Sequence, residues 1–325
     1  MPWPAGRSNP RKATDEQIVN LIVEKGVKQA ARELGIEEAG LNRRRRRIEE
    51  RLNIVITPPS RGGHVQQLDQ HPAAIQLGIQ DGVILVGSDA HYWPGVFSTA
   101  HRAFVKFCER MNPKVVVMNG DAYDGARVSR WPDGSWQDMG QKPSVVQELQ
   151  ATQEAMEEIR KASPNARHVF PLGNHDARFE MRLLQQVPEY ANIHGTKLKD
   201  HIKDWEPCWA AMVNADLVIK HRYKSGIHAT HNNAMWAGRS MVTGHLHSLK
   251  VAPLTDYNGT RWGVDCGTLA DPYGPQFFNY TEMNPLNWRS GFAVLTFKKG
   301  KMLWPEVVFV SGPDTIQWRG EEIRV

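Results

Sequence analysis

The chain has 325 residues, 41% apolar and 23% charged, with a formal net charge of +5. These values suit one large catalytic domain with a small appendage and exclude a disordered or fibrous chain. No apolar run approaches membrane-spanning length, and the opening MPWPAGRSNP lacks the apolar core of a secretory signal, so no membrane partner is expected. Cys108, Cys208 and Cys266 are odd in number and lack metal-type spacing, which points to a reduced, cytoplasmic protein.

The charge is unevenly spread. Residues 1–60 hold 12 Lys and Arg against 8 Asp and Glu, the remainder 28 against 27. A nucleic-acid partner is therefore expected first at the N-terminal segment. Residues 1–13 are expected to be disordered. A capping box at Thr14–Gln17 opens a helix that Gly26 ends, and Val27–Gly35 reads as a short second helix closed by glycine. Leu41 to Leu52 reads as a third helix that carries Arg43 to Arg47. Three such helices over residues 14–53 form a small all-α domain similar to a helix-turn-helix, whose last helix would enter a major groove. Five consecutive arginines also circle a helix rather than line one face, so a solvated surface is the competing reading. Residues 54–80, rich in Pro, Gly and Gln, are expected to be a linker.

A second domain is predicted over residues 81–311, with 312–325 as a C-terminal tail. Short apolar runs at Val83–Gly87, Val115–Met118, His168–Leu172, Leu217–Ile219 and Ser240–Thr243 read as buried strands. Helices are expected over Phe97–Met111 and Ser144–Ala162, and Trp131–Lys142 reads as an irregular excursion. Further strands are expected at Gly263–Leu269, Phe292–Phe297 and Leu303–Val310. Strand–helix alternation followed by consecutive strands predicts two packed sheets with helices outside.

Each strand delivers metal-ligand residue types at its carboxyl end, where α/β proteins place their sites. They are Asp89, His91, Asp121, Asn174, His221, His245 and His247. In D-x-H and H-x-H, alternate side chains of an extended segment point the same way and can grip one ion. Carboxylates mixed with imidazoles suit first-row metals (Mn²⁺ foremost, with Fe, Zn²⁺ or Ni²⁺ as alternatives) rather than Ca²⁺ or Mg²⁺ alone. Seven ligands exceed one tetrahedral ion and suit two divalent ions about 4 Å apart that share Asp121 and a hydroxide. Two such ions against Asp89 and Asp121 leave residual positive charge for an anionic phosphoester. His175, oriented by Asp176, is the natural general acid for the leaving oxygen. Arg127, Arg130 and above all Arg178 are candidate phosphate contacts. Tyr123, Trp131, Trp136 and Trp236 are candidate stacking platforms, with ordinary packing as the alternative.

Asp89-Ala90-His91, Gly120-Asp121-Ala122-Tyr123-Asp124, Gly173-Asn174-His175-Asp176, His221 and Gly244-His245-Leu246-His247, in that order, resemble the calcineurin-like metallophosphoesterase superfamily. The resemblance implies a four-layered αββα sandwich of two mixed sheets around a dinuclear centre. Asp89, His91, Asp121 and His247 would hold one ion, and Asp121, Asn174, His221 and His245 the other, with His175 as the catalytic histidine. His221 precedes Arg222 where the family's isolated histidine precedes glycine, so His228 and His231 are its rivals. The stretches Val264–Pro272 and Asn287–Phe292 resemble bacteriophage-encoded members, which would place the protein in a host cytoplasm. The expected activity is phosphodiester hydrolysis on nucleic acid. The alternatives are a phosphomonoesterase acting on nucleotides or phosphoproteins, and a DNA-binding protein with an inactive phosphoesterase scaffold.

Overall fold

The computed structural model describes residues 13–52, 54–61, 63, 65–67, 71–129, 142–190, 193–277 and 286–325, and the chain divides into two compact units. Nearly all of the predicted disordered terminus, together with Arg130, Trp131 and Trp136, lies outside the described residues.

The first unit holds the N-terminal helices. α1 (Asp15–Leu34) opens on the capping box of Thr14 with Gln17 and breaks at Gly26, whose φ of 78° no helix accommodates. It is thus the two predicted helices joined end to end. α2 (Glu38–Leu52) begins three residues before the predicted Leu41. Ile18, Ile22, Ala30, Leu34, Leu41 and Ile48 form the core together with Ile54 and Ile56. Those last two lie on β1 (Ile54–Ile56), which pairs antiparallel with β2 (Val65–Gln67). A hairpin therefore stands where a linker was predicted, because Ile54 and Ile56 point to one side and close the helical core. Among the arginines of α2, Arg44 and Arg51 pair with Asp15 and Arg45 with Glu49, while Arg43, Arg46 and Arg47 are exposed.

The second unit is built in chain order from β3 (Ile75–Leu77), β4 (Gly82–Gly87), α3 (Thr99–Met111), β5 (Val115–Met118), α4 (Val145–Ala162) and β6 (Arg167–Pro171). α5 (Asp176–Gln186), β7 (Glu206–Cys208), β8 (Ala211–Val213), β9 (Leu217–Ile219), α6 (Ala229–Ala237) and β10 (Ser240–Thr243) follow. The chain ends with β11 (Lys250–Asp256), β12 (Gly259–Asp265), β13 (Gly291–Lys298), β14 (Lys301–Met302), β15 (Glu306–Gly312), β16 (Thr315–Trp318) and β17 (Glu321–Arg324).

The strands form two mixed sheets, ordered β11-β12-β10-β9-β8-β3 and β17-β16-β15-β13-β4-β5-β6-β7, with β14 beside β13. β4, β5 and β6 run parallel, as do β9 and β10, so each group brings its carboxyl ends to one edge. Side-chain alternation makes two apolar layers from each central strand. Ile84, Val86, Val115, Val117 and Val169 face the other sheet's Val213, Leu217, Ile219, Val242 and Val264. Leu85, Val116, Met118 and Phe170 face outward onto α3 and α4 through Phe104, Phe107, Met156 and Ile159. α6 covers the outer face of the smaller sheet, so closely that a Cβ on Gly263 of β12 would strike the Thr230 carbonyl. The second unit is thus the expected four-layered αββα sandwich.

Two predicted boundaries move. Part of the supposed linker is β3, which pairs parallel with β8. The supposed tail is not a tail: β16 and β17 extend the larger sheet antiparallel from β15. Ile316 and Trp318 are buried, and the Trp318 ring meets Phe107 edge-on at 5.1 Å. Trp318→Ala should cost about 3–5 kcal/mol in urea unfolding; a loss below about 1 kcal/mol would show that the added strands are not part of the cooperative unit.

Candidate metal centre

Strand ends deliver the predicted residues to one place. Asp89 and His91 follow β4, Asp121 follows β5, Asn174 and His175 follow β6, His221 follows β9, and His245 and His247 follow β10. The segments are tied to one another through the backbone. Asp89 and His91 donate their N–H groups to the carbonyls of Gly120 and Asp121 at 2.8 and 2.9 Å. His245, from the other sheet, donates its N–H to Asp89 Oδ2 at 2.8 Å.

Approach at these turns is close enough to require glycine. A Cβ on Gly173 would land on the Asp121 carboxylate, and one on Gly244 on Ser88 and Asp89. The predicted ligands themselves carry unusual backbone. Asp89, His91, Asp121, His245 and His247 all have positive φ, between 42° and 70°. Left-handed residues other than glycine are uncommon, and strain of this kind concentrates at functional sites.

Two trios form. Ligand atoms of Asp89, His91 and His247 lie within 4.8 Å of one another, as do those of Asp121, His221 and His245. His247 Nε2 is 3.0 Å from Asp89 Oδ1, and His221 Nε2 is 3.1 Å from Asp121 Oδ2. Neighbouring donors bound about 2.0–2.2 Å from one ion stand about 3 Å apart, so these spacings fit a metal. His221 is the isolated histidine that joins the cluster. Its rivals lie elsewhere: His228 caps α6 and is exposed, and His231 Nδ1 faces Asn232.

Whether a cation fits can be tested on unpartnered atoms. His91 Nδ1 is hydrogen-bonded to Asp124 at 2.8 Å and His221 Nδ1 to the Asn119 carbonyl at 2.8 Å. In the neutral ring each contact leaves Nε2 as the lone-pair atom, and both Nε2 atoms are buried without a hydrogen-bond partner, as is Asn174 Oδ1. Asp89, Asp121, Asp124 and Asp176 are all at most 7% exposed. Buried negative charge together with bare imidazole and amide donors is the environment a divalent cation resolves. The residues fit two such ions.

Without a cation, a proton takes the cation's place on His221. Burial disfavours the imidazolium of His221, but the Asp121 and Asp89 carboxylates outweigh it and lift its pKa to about 10. Burial, with the His221 charge beside it, lowers His245 to about 4, leaving a neutral donor. Burial also opposes ionisation of Asp121, yet His221 and His175 hold it well below the carboxylate range.

The site also corrects the sequence reading. Asp176 does not orient His175. Its carboxylate accepts from the backbone N–H groups of Asp121, Gly173 and Tyr123 at 2.7, 2.8 and 3.0 Å, clamping the two motif turns together. Burial and the Asp121 charge raise its pKa to about 7. His175 is held instead by Asp124, the last residue of the Gly120–Asp124 motif, to which the sequence assigned no role. His175 Nδ1 lies 2.9 Å from the Asp124 carbonyl and 3.0 Å from its Oδ1, and Asp124 also holds His91. Only the three-residue spacing from Asp121 could have signalled this role, and it is too common to single out.

Arg178 donates to His175 Nε2 at 2.9 Å and to the Asp124 carbonyl at 3.0 Å. Arg127 binds the carbonyls of Lys142 and Pro143, a loop-holding role rather than a phosphate contact. Tyr123 is fully buried and packs on Phe179, so it is no stacking platform.

A proton resident on His221 has to leave when a cation arrives. Mn²⁺ affinity should therefore rise steadily from pH 6 to pH 9, below the His221 pKa of about 10, with protons released on binding. Calorimetry in buffers of different ionisation enthalpy checks this, and pH-independent affinity without proton release would contradict it.

No protein-family model matches the sequence. Two bacteriophage proteins are similar over 228 residues: the gene 54 protein of Mycobacterium phage L5 at 25% identity and that of Mycobacterium phage D29 at 26%. Each match covers 65% of this chain and 87% of the phage protein. Similar solved structures include Vps29 of Chaetomium thermophilum, with 8% identity and TM-score 0.39 over 74% of this chain and 96% of that one. The E. coli phosphoesterase YfcE has 13% identity and TM-score 0.32, over 69% and 97%. A Saccharomyces cerevisiae serine/threonine phosphatase similar to human PP5 has 15% and 0.35, over 75% and 86%. In the order of its motifs, and in the convergence of their side chains between two mixed sheets, the chain resembles the calcineurin-like metallophosphoesterases.

Proposed function

We propose that the protein is a metal-dependent phosphoester hydrolase, acting as a phosphodiesterase or nuclease on nucleic acid in the cytoplasm of a phage host. One observation carries this. The cluster of bare donors opens, through Asn174, His221 and His245, into a cleft of about 840 Å³ whose charged lining is otherwise Arg178, Arg182, Lys220, Arg222 and Lys224. Such a lining favours an anionic substrate at the ions.

Asp89, His91, Asp121 and His247 would hold one divalent ion, and Asp121, Asn174, His221 and His245 the second, with Mn²⁺ the preferred metal. Bound there, the ions supply an activated water and neutralise charge on the phosphoryl oxygens. The chain's own groups do the rest. His175 donates a proton to the leaving oxygen from Nε2. Burial opposes the imidazolium, but the Asp121 and Asp124 carboxylates prevail and raise the His175 pKa. Asp124 fixes the ring through Nδ1, leaving Nε2 for the reaction. In the free enzyme Arg178 donates to that nitrogen, so Nε2 takes up its proton only once Arg178 has turned to the phosphate of an entering substrate.

Hydrolysis of bis-p-nitrophenyl phosphate in excess of p-nitrophenyl phosphate with Mn²⁺ is the expected result. Preference for the monoester would favour a phosphatase, and turnover of neither by metal-loaded protein an inactive scaffold. His175→Ala should lower diester turnover by about 10²- to 10⁴-fold while Mn²⁺ binding persists.

The N-terminal unit would add non-specific affinity for nucleic acid through exposed Arg43, Arg46 and Arg47. Replacing all three with alanine should weaken DNA binding regardless of sequence and flatten its salt dependence. An unchanged salt slope would remove this unit from the nucleic-acid interface.

A further inference from the structure

Beside the metal centre, the segment 220–227 and helix α6 expose an unusual surface. Tyr223 is 44% exposed, Ile227 77%, Met235 44% and Trp236 65%. Large apolar groups rarely stay this open on adjacent elements without a partner. Lys224 joins the two rings, its Nζ 5.1 Å from the Tyr223 centroid and 5.5 Å from that of Trp236. The arrangement is fixed from below, since the Lys224 backbone N–H donates to Oδ1 of buried Asn233 on α6 at 2.9 Å. Tyr223 and Trp236 are thus presented on a pinned loop and a helix.

This surface continues into the cleft that reaches Asn174, His221 and His245. Tyr223 and Lys224 line that cleft, together with exposed Trp209, Arg182 and Arg222 and half-buried Arg178 and Lys220. No carboxylate lies among its lining residues apart from the cluster behind the histidines. Cations that track a backbone, interleaved with exposed rings, are the features by which proteins hold unpaired strands, because each base has a face to stack. A duplex keeps its bases inside and offers such rings nothing. A mononucleotide would not need rings that continue past the cleft mouth to Trp236.

We propose that this path is a track for single-stranded nucleic acid, with bases stacked on Tyr223 and Trp236 and phosphates on Arg222, Lys220 and Lys224, leading the strand to the metal centre. The proposal rests on the phosphoesterase reading only for what happens at the end of the track.

The test uses the full chain in EDTA and single-stranded oligonucleotides carrying 5-bromodeoxyuridine (DNA) or 5-bromouridine (RNA), crosslinked by light and mapped by mass spectrometry. Crosslinks at Tyr223 or Trp236 are expected, competed by unlabelled single strands and not by duplex, and the arm that crosslinks identifies the sugar. Tyr223→Ala combined with Trp236→Ala, confirmed folded by its melting temperature, should weaken oligonucleotide binding at least about 10-fold. Crosslinks confined to the N-terminal helices or absent from residues 220–237, equal competition by duplex, or unchanged affinity of the double variant would each overturn the track. Wild-type turnover of bis-p-nitrophenyl phosphate with Mn²⁺ is measured in parallel. Its absence alongside the expected crosslinks would sink the phosphoesterase reading and leave the track standing.

Discussion

Four carboxylates gathered away from water are the constraint that the second unit is built to satisfy. Left without donors, buried Asp89, Asp121, Asp124 and Asp176 would each carry a large desolvation penalty. Each is instead held by at least one hydrogen-bond donor from another turn of the site. Asp176 draws three backbone N–H groups from two turns, Asp121 takes the His175 N–H on Oδ1 at 2.7 Å, and Asp89 receives the His245 N–H from the opposite sheet. The cluster is therefore a joint between the sheets as well as a chemical site. That is why its turns leave no room for side chains at Gly173 and Gly244.

The architecture follows from that joint. Parallel strands end on a common edge, and here two parallel groups in two sheets end together, so residues far apart in sequence meet without any long excursion toward the centre. Strands β11 to β17, of which β12 runs parallel to β10 and the others join antiparallel, widen both sheets and supply no predicted ligand. Division of labour is clear along single strands too. Val116 and Val117 of β5 face opposite apolar layers, while Asp121, a few residues on, leaves the sheet to face the cluster.

Much of this was legible in the sequence, because the relevant signals are short and local. Apolar runs such as Val115–Met118 are too short for helices, and the residue types just after them are those that bind metals. The capping box at Thr14 and Ser144 at the head of the expected 144–162 helix marked helix starts that the structure reproduces. What stayed hidden depends on tertiary contact. Asp124 and Asp176 are both carboxylates near His175, and only three-dimensional packing decides that one grips the imidazole and the other the backbone. The strands β16 and β17 carry few apolar residues because they form the edge of the sheet, so Thr315–Trp318 looks like a polar tail until Phe107 is seen against Trp318. The β1–β2 hairpin and β3 are three residues per strand, below the length at which alternation can be read.

The positive φ values at Asp89, His91, Asp121, His245 and His247 carry one more consequence. A backbone in that region sits uphill for an L-residue by roughly 1–2 kcal/mol, somewhat less for aspartate. These five torsions are therefore a compressed spring, kept loaded by the packed sheets beneath. The backbone beneath the cluster is thus set by the fold, and any adjustment to what occupies the site falls to the side-chain torsions.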